Sequence, residues 1–122
     1  MRDIPVGAKG TYSLKVMPAH LTAERLDRVR RADAIVRQLS QESGFEHTIW
    51  QFPVVLIPLG KAQRPDSVVL RPIESVDGMT ARAVRIPEDL LSKMVRELME
   101  VQGVAGVFYD LTNKPPATIE WE

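Results

Sequence analysis

Thr48–Ile73, TIWQFPVVLIPLGKAQRPDSVVLRPI, is the stretch on which the fold turns. Its first part, Thr48 to Leu59, is the most apolar run in the chain. Rich in Val and Ile and bounded by prolines, it reads as a buried strand sooner than a helix. Pro53 has no N–H to give a strand ladder, so it implies a bulge or an edge position. Gly60 to Asp66 is a polar turn and Ser67 to Ile73 a second strand, and the two strands predict an antiparallel hairpin.

Upstream, Thr22 to Ser43 has apolar residues at Leu26, Val29, Ala32, Val36 and Leu39, the three-and-four spacing of a helix with one buried stripe. Thr22 is a suitable N-cap, and Gly44 a suitable stop, because glycine accepts the left-handed conformation that ends many helices. Arg25, Arg28, Arg30, Arg31 and Arg37 crowd this helix. They are expected to form a solvated face, partly paired with Glu24, Asp27 and Asp33, with phosphate binding as the competing role. Thr11 to Met17 alternates like a half-buried strand and stops at Pro18. Residues 1–10, with two glycines and a proline, read as a flexible leading segment, and residues 11–122 as the domain.

Downstream, Ser75 to Ala83 is a loop around the turn dipeptide Asp77-Gly78. Pro87 to Val101 is a second helix, with proline in its first turn, Glu88 and Asp89 at its positive end, and Leu90, Leu91, Met94, Val95, Leu98 and Val101 as its buried stripe. Gly103 is expected to end it. Val104 to Leu111 is a strand broken by Gly106, Thr112 to Pro116 a rigid turn, and Thr118 to Trp121 a short last strand. The expected fold class is therefore α+β, a two-layer sandwich of an antiparallel sheet with two helices on one face. Its other face is left to solvent or a partner.

The chain of 122 residues is enough for one core, and 44% hydrophobic against 26% charged residues predicts a folded domain. Sixteen basic residues balance sixteen acidic ones, which argues against a general nucleic-acid or membrane-surface binder. Cysteine is absent, so disulfides, thiolate zinc sites and a cysteine nucleophile are excluded within the chain. No apolar run approaches the roughly 20 residues of a membrane span, and the first ten residues lack a signal peptide's apolar core, so a cytoplasmic protein is expected. Neither a phosphate-binding G-x-x-x-x-G-K-[ST] loop nor G-x-G-x-x-G nor H-E-x-x-H occurs, His20 and His47 lie far apart, and no metal site or catalytic pair stands out.

The segment Lys114–Glu122, KPPATIEWE, differs. Two prolines hold the backbone extended, which fixes the direction of Lys114. Thr118 offers a hydroxyl, and Ile119, Glu120 and Trp121 offer backbone amides. A cation, a hydroxyl and amide donors on a rigid turn suit an anion such as phosphate; the alternative is an ordinary proline turn before an edge strand.

The run Val107–Glu122, VFYDLTNKPPATIEWE, resembles the ending of GMP synthases. ADAIVRQL at 32–39, IWQFPVVLIP at 49–58 and VVLRPIESVDGMTA at 68–81 are similar to further blocks of that family in the same order, so the resemblance covers about residues 12–122. It implies the carboxy-terminal domain that forms the dimer and closes the XMP site of an enzyme that activates XMP with ATP and Mg²⁺ and aminates it to GMP. Carried over by motif, Lys114, Thr118, Ile119 and Glu120 are implied to hold the XMP phosphate and its neighbours and Gln51 to contact XMP, with Arg71 at the phosphate or the dimer interface. The family's glutamine amidotransferase and ATP pyrophosphatase domains have no counterpart here. The resemblance thus implies a stand-alone component, binding no cofactor itself and inactive alone, that forms a homodimer and joins a separate ATP pyrophosphatase subunit. The alternative is a non-catalytic nucleotide-binding or dimerisation module. Where the family has an XMP-binding arginine upstream, Lys15 is the nearest counterpart; it keeps the charge and loses the bidentate fork.

Overall fold

The computed structural model describes residues 3–8, 14–18, 22–49, 51–75 and 81–110, with backbone alone for 3–8 and 81. The elements in order are β1 (Asp3–Ala8), β2 (Lys15–Val16), α1 (Ala23–Ser43), β3 (Val54–Ile57), β4 (Leu59–Gly60), β5 (Asp66–Leu70), β6 (Ile73–Ser75), β7 (Ala81–Ala83), α2 (Glu88–Leu98) and β8 (Val104–Asp110). The main sheet has the order β1-β8-β5-β3, and two short ladders, β2-β4 and β6-β7, flank it.

The predicted hairpin is the outer half of this sheet. β3 and β5 pair antiparallel from Val54↔Leu70 to Ile57↔Ser67, and β3 takes the edge, where Pro53 needs no partner for its missing donor. One pairing was not legible: β5 and β8 run parallel, with Leu70 beside Tyr109, so the sheet is mixed rather than wholly antiparallel. The crossover through β6, β7 and α2 is what allows it, since parallel neighbours need a long connection.

Helix α1 matches its predicted limits. The Thr22 hydroxyl accepts the Arg25 N–H at 3.1 Å, and Gly44 closes the helix at φ 79°, a left-handed backbone that costs glycine little. Its buried stripe differs at the start: Arg28, Ala32, Val36 and Leu39 face inward, while Leu26 is 40% exposed. The inward face is polar in its first turns because the residue it meets is the buried carboxylate of Asp66, and Leu26 lies round the helix from it. Helix α2 buries Leu90, Met94 and Leu98 as expected, with Pro87 as its N-cap. It stops at Leu98, several residues before Gly103, which instead turns the chain into β8 at φ 91°.

Both helices pack on one face. Ala32, Val36 and Leu39 of α1 and Leu90, Met94 and Leu98 of α2 form one core with Val68, Leu70, Val107 and Tyr109 of the central strands. Side chains alternate along a strand, so Val69 and Phe108 point to the helix-free face, and they too are buried, at 0% and 7% exposure. This corrects the expectation of an open second face: its centre is covered within the chain.

Four further expectations change. By sequence, residues 1–10 read as a flexible leading segment, yet Asp3–Ala8 form β1 on β8; a register shift between Pro5 and Gly7 breaks the alternation that would have revealed it. Of the strand predicted over Thr11 to Met17, β2 keeps Lys15 and Val16, and 11–13 lie outside the described residues. The loop predicted over Ser75 to Ala83 is flanked by a β6-β7 ladder. β8 runs through Gly106 as one strand, with a register shift against β5 between Val104 and Gly106. The predicted turn at 112–116 and last strand at 118–121 lie outside the described residues.

Candidate functional site

The candidate site collects at one end of the main sheet. Because β5 and β8 are parallel, their carboxyl ends lie together, and antiparallel β3 brings its amino end to the same place. Gln51 is bridged to Ile73 there, donating its N–H to the Ile73 carbonyl (3.2 Å) and accepting from the Ile73 N–H (2.8 Å). This bridge keeps the register of Val54↔Leu70. Alternation along the paired strands then places Gln51, Arg71 and Val69 on the helix-free face. The Gln51 side chain is exposed, whereas Arg71 is buried.

Arg71 pairs with Asp110, the last residue of β8. Its Nε lies 3.2 Å from Asp110 Oδ2, with the two side chains 3% and 1% exposed. The preceding residue, Tyr109, points to the helix face, where its hydroxyl accepts the Ile86 N–H (2.7 Å) and donates to the Val84 carbonyl. Burial pushes the Tyr109 hydroxyl above its usual pKa, opposed by the Ile86 hydrogen bond and the Arg85 charge. The end of β8 is therefore tied on both faces.

Lys114, Thr118, Ile119 and Glu120 lie outside the described residues. Of the six residues predicted for the site, Gln51 and Arg71 are described, and the structure brings them to the sheet end from which the chain continues past Asp110. Lys15 is exposed on β2, opposite Gly60 of β4. Sequence reading missed Asp110; the signal available was a carboxylate closing an apolar strand at the level where Arg71 follows the neighbouring one.

The helix arginines are largely engaged. Arg25 and Arg28 both reach Asp66, at 3.0 and 2.6 Å, and Arg28 also donates to the Gln102 carbonyl. Arg31 pairs with Asp27 and Arg37 with Asp33 along the helix surface. These pairings support the structural reading of that helix over phosphate binding. Asp66 opens β5 and Arg71 follows its end, so the two ion-pair groups sit at opposite ends of the strand.

A cavity of about 440 Å³ lies between the end of α1 and the start of α2, lined by Leu39, Phe45, Pro87 and Leu90 and rimmed by Glu42, Asp89 and Lys93. It shares no residue with the Gln51–Arg71–Asp110 end. Among the described residues, no group of three His, Asp or Glu side chains could hold a metal ion, and no helix is long and apolar enough to cross a membrane.

The family model described as "GMP synthase C terminal domain" matches residues 38–121. The chain is 46% identical over 110 residues to a GMP synthase [glutamine-hydrolyzing] of Exiguobacterium sibiricum, covering 84% of this chain and 21% of that protein. It is 43% identical over 118 residues to one from Desulfotalea psychrophila, covering 90% and 23%. A probable GMP synthase [glutamine-hydrolyzing] of Leptospira interrogans is 43% identical over 96 residues, covering 79% and 16%. The chain thus spans about a fifth of the length of these relatives, with shares between 16% and 23%.

Proposed function

The chain belongs to the GMP synthase C-terminal domain family, and from that premise we propose that it supplies XMP-binding and dimerisation elements for the ATP-dependent amination of XMP to GMP. In this reading Lys114 holds the XMP phosphate as a charge-assisted donor, with the Thr118 hydroxyl and the Ile119 and Glu120 groups around it, and Gln51 contacts the nucleotide. The observation that carries the reading is the convergence of Gln51 and Arg71 at the sheet end where β8 stops at Asp110. Lys114 follows Asp110 by four residues in the sequence.

ATP and Mg²⁺ are used by the complete enzyme, whose ATP pyrophosphatase part forms the activated base that ammonia attacks. This chain binds and orients XMP and performs no chemical step itself. It pairs with a second copy, symmetric two-fold association being the commonest oligomeric solution.

The test mixes the chain with an ATP pyrophosphatase protein, ammonia, ATP, Mg²⁺ and XMP. GMP should form faster than with that protein alone. Calorimetry on this chain should show XMP binding, weakened in Lys114→Ala by about 1.5–3 kcal/mol, the scale of a charge-assisted hydrogen bond. Light scattering should give a dimer. XMP binding without any rate gain would reduce the chain to a nucleotide-binding module; unchanged affinity in Lys114→Ala would remove that residue from the site.

A further inference from the structure

We infer that Arg71 is a positioning residue, which serves the proposed XMP site by holding Asp110 and not by touching the ligand. The inference rests on the proposed function for its ligand and on the described residues for its geometry. An arginine that binds a phosphate must present its fork to the ligand. The Arg71 side chain is instead 3% exposed, and its Nε lies 3.2 Å from a carboxylate that is itself 1% exposed.

What the pair fixes is the last residue of β8. Asp110 is the last residue of β8, and Arg71 follows the last residue of β5, its parallel neighbour. The pair is thus a side-chain rung one step beyond Leu70↔Tyr109 in the ladder. On the other face, the Tyr109 hydroxyl ties the same strand end to the backbone at Val84 and Ile86. Adjacent side chains therefore clamp β8 from both sides just before the run that carries Lys114. A binding group four residues beyond a fixed point samples far fewer orientations than one beyond a frayed strand, and that saved ordering goes into affinity.

The geometry separates two roles of the pair. Removing one partner strands a buried charge and lowers stability; removing both leaves no stranded charge and restores much of it. The tie on Asp110 is lost in all three cases. The experiment compares Arg71→Met, Asp110→Asn and the double variant in the full chain by thermal unfolding, XMP calorimetry and amide spectra of residues 111–114. The expected result is a double variant that melts closer to wild type than either single one, yet binds XMP about tenfold or more weakly, one lost charge-assisted bond. The 111–114 signals should shift alike in the folded variants.

Affinity that recovers along with melting temperature would make the pair purely structural and overturn the inference. Loss of affinity in Arg71→Met with none in Asp110→Asn would put Arg71 on the ligand and overturn it equally. A wild-type chain that binds no XMP would defeat the proposed ligand instead. The inference is then decided by the spectra, and unchanged 111–114 signals in the double variant would end it.

Discussion

Replacing Asp66 by alanine should cost this chain about 3 kcal/mol, near the lower end of the range for breaking a buried ion pair. The carboxylate is 1% exposed and is shared by two arginines of α1, with Arg28 Nη1 at 2.6 Å and Arg25 Nε at 3.1 Å. Its removal affects them unequally. Arg25, 22% exposed, can turn to water, whereas Arg28, 9% exposed, keeps the Gln102 carbonyl at 2.7 Å and loses its counter-charge. The residual carbonyl bond and the escape of Arg25 hold the loss below the upper end of the range. For a domain of this size, that loss lowers Tm by roughly 10–15 °C.

The assay is thermal and urea unfolding followed by far-UV circular dichroism, with Arg28→Met/Asp66→Val as the companion variant. Neutralising Asp66 together with Arg28 leaves only the charge of Arg25, which can reach water, so this double change should recover most of the loss. Gly103→Ala should damage the same cluster from the other side. A Cβ there would lie 2.3 Å from the Arg28 guanidinium, on a backbone at φ 91° that disfavours any side chain. Its cost should be smaller in the Asp66→Ala background, because the two changes break one network. A loss in Asp66→Ala below about 1 kcal/mol, the scale of a surface ion pair, would refute the reasoning; so would a companion variant no better than the single one.

Thr22→Ala removes the hydroxyl that accepts the Arg25 N–H, and should cost about 1 kcal/mol in urea unfolding, with Thr22→Ser near wild type. Tyr109 has a folded pKa raised above 10.0 by burial. The unfolded chain therefore loses this proton first, and stability should be full below about pH 10 and fall as pH rises toward the folded value, by up to about 1.4 kcal/mol per pH unit. Tyr109→Phe should be less stable at pH 7, through loss of its bonds to Ile86 and Val84, and should show a shallower alkaline fall; parallel pH profiles would exclude Tyr109 as the titrating group.

What the sequence determined by itself was local. The limits of α1 followed from Thr22, a three-and-four apolar spacing and Gly44, each acting within a few residues of itself. The β3–β5 hairpin followed from two strand-like runs across a short polar turn. The motif of Lys114 to Glu120 was likewise legible as residue types on a stiff backbone, and Gln51 and Arg71 as matches to a family.

The tertiary structure decided what depends on partners distant in the chain. β1 carries no alternation of its own, and only β8, some hundred residues later, makes it a strand. The parallel register of β5 and β8 left no periodic trace in either strand, yet it sets Arg71 beside Asp110 and puts Gln51 at the same end. Asp66 likewise turned two arginines of an apparently solvated helix into anchors, Arg28 buried and Arg25 half-buried. The physical reason is common to all three: a side chain's spacing fixes which face it takes, but its partner is fixed by strand order and register, which are set by packing among elements that the sequence holds far apart.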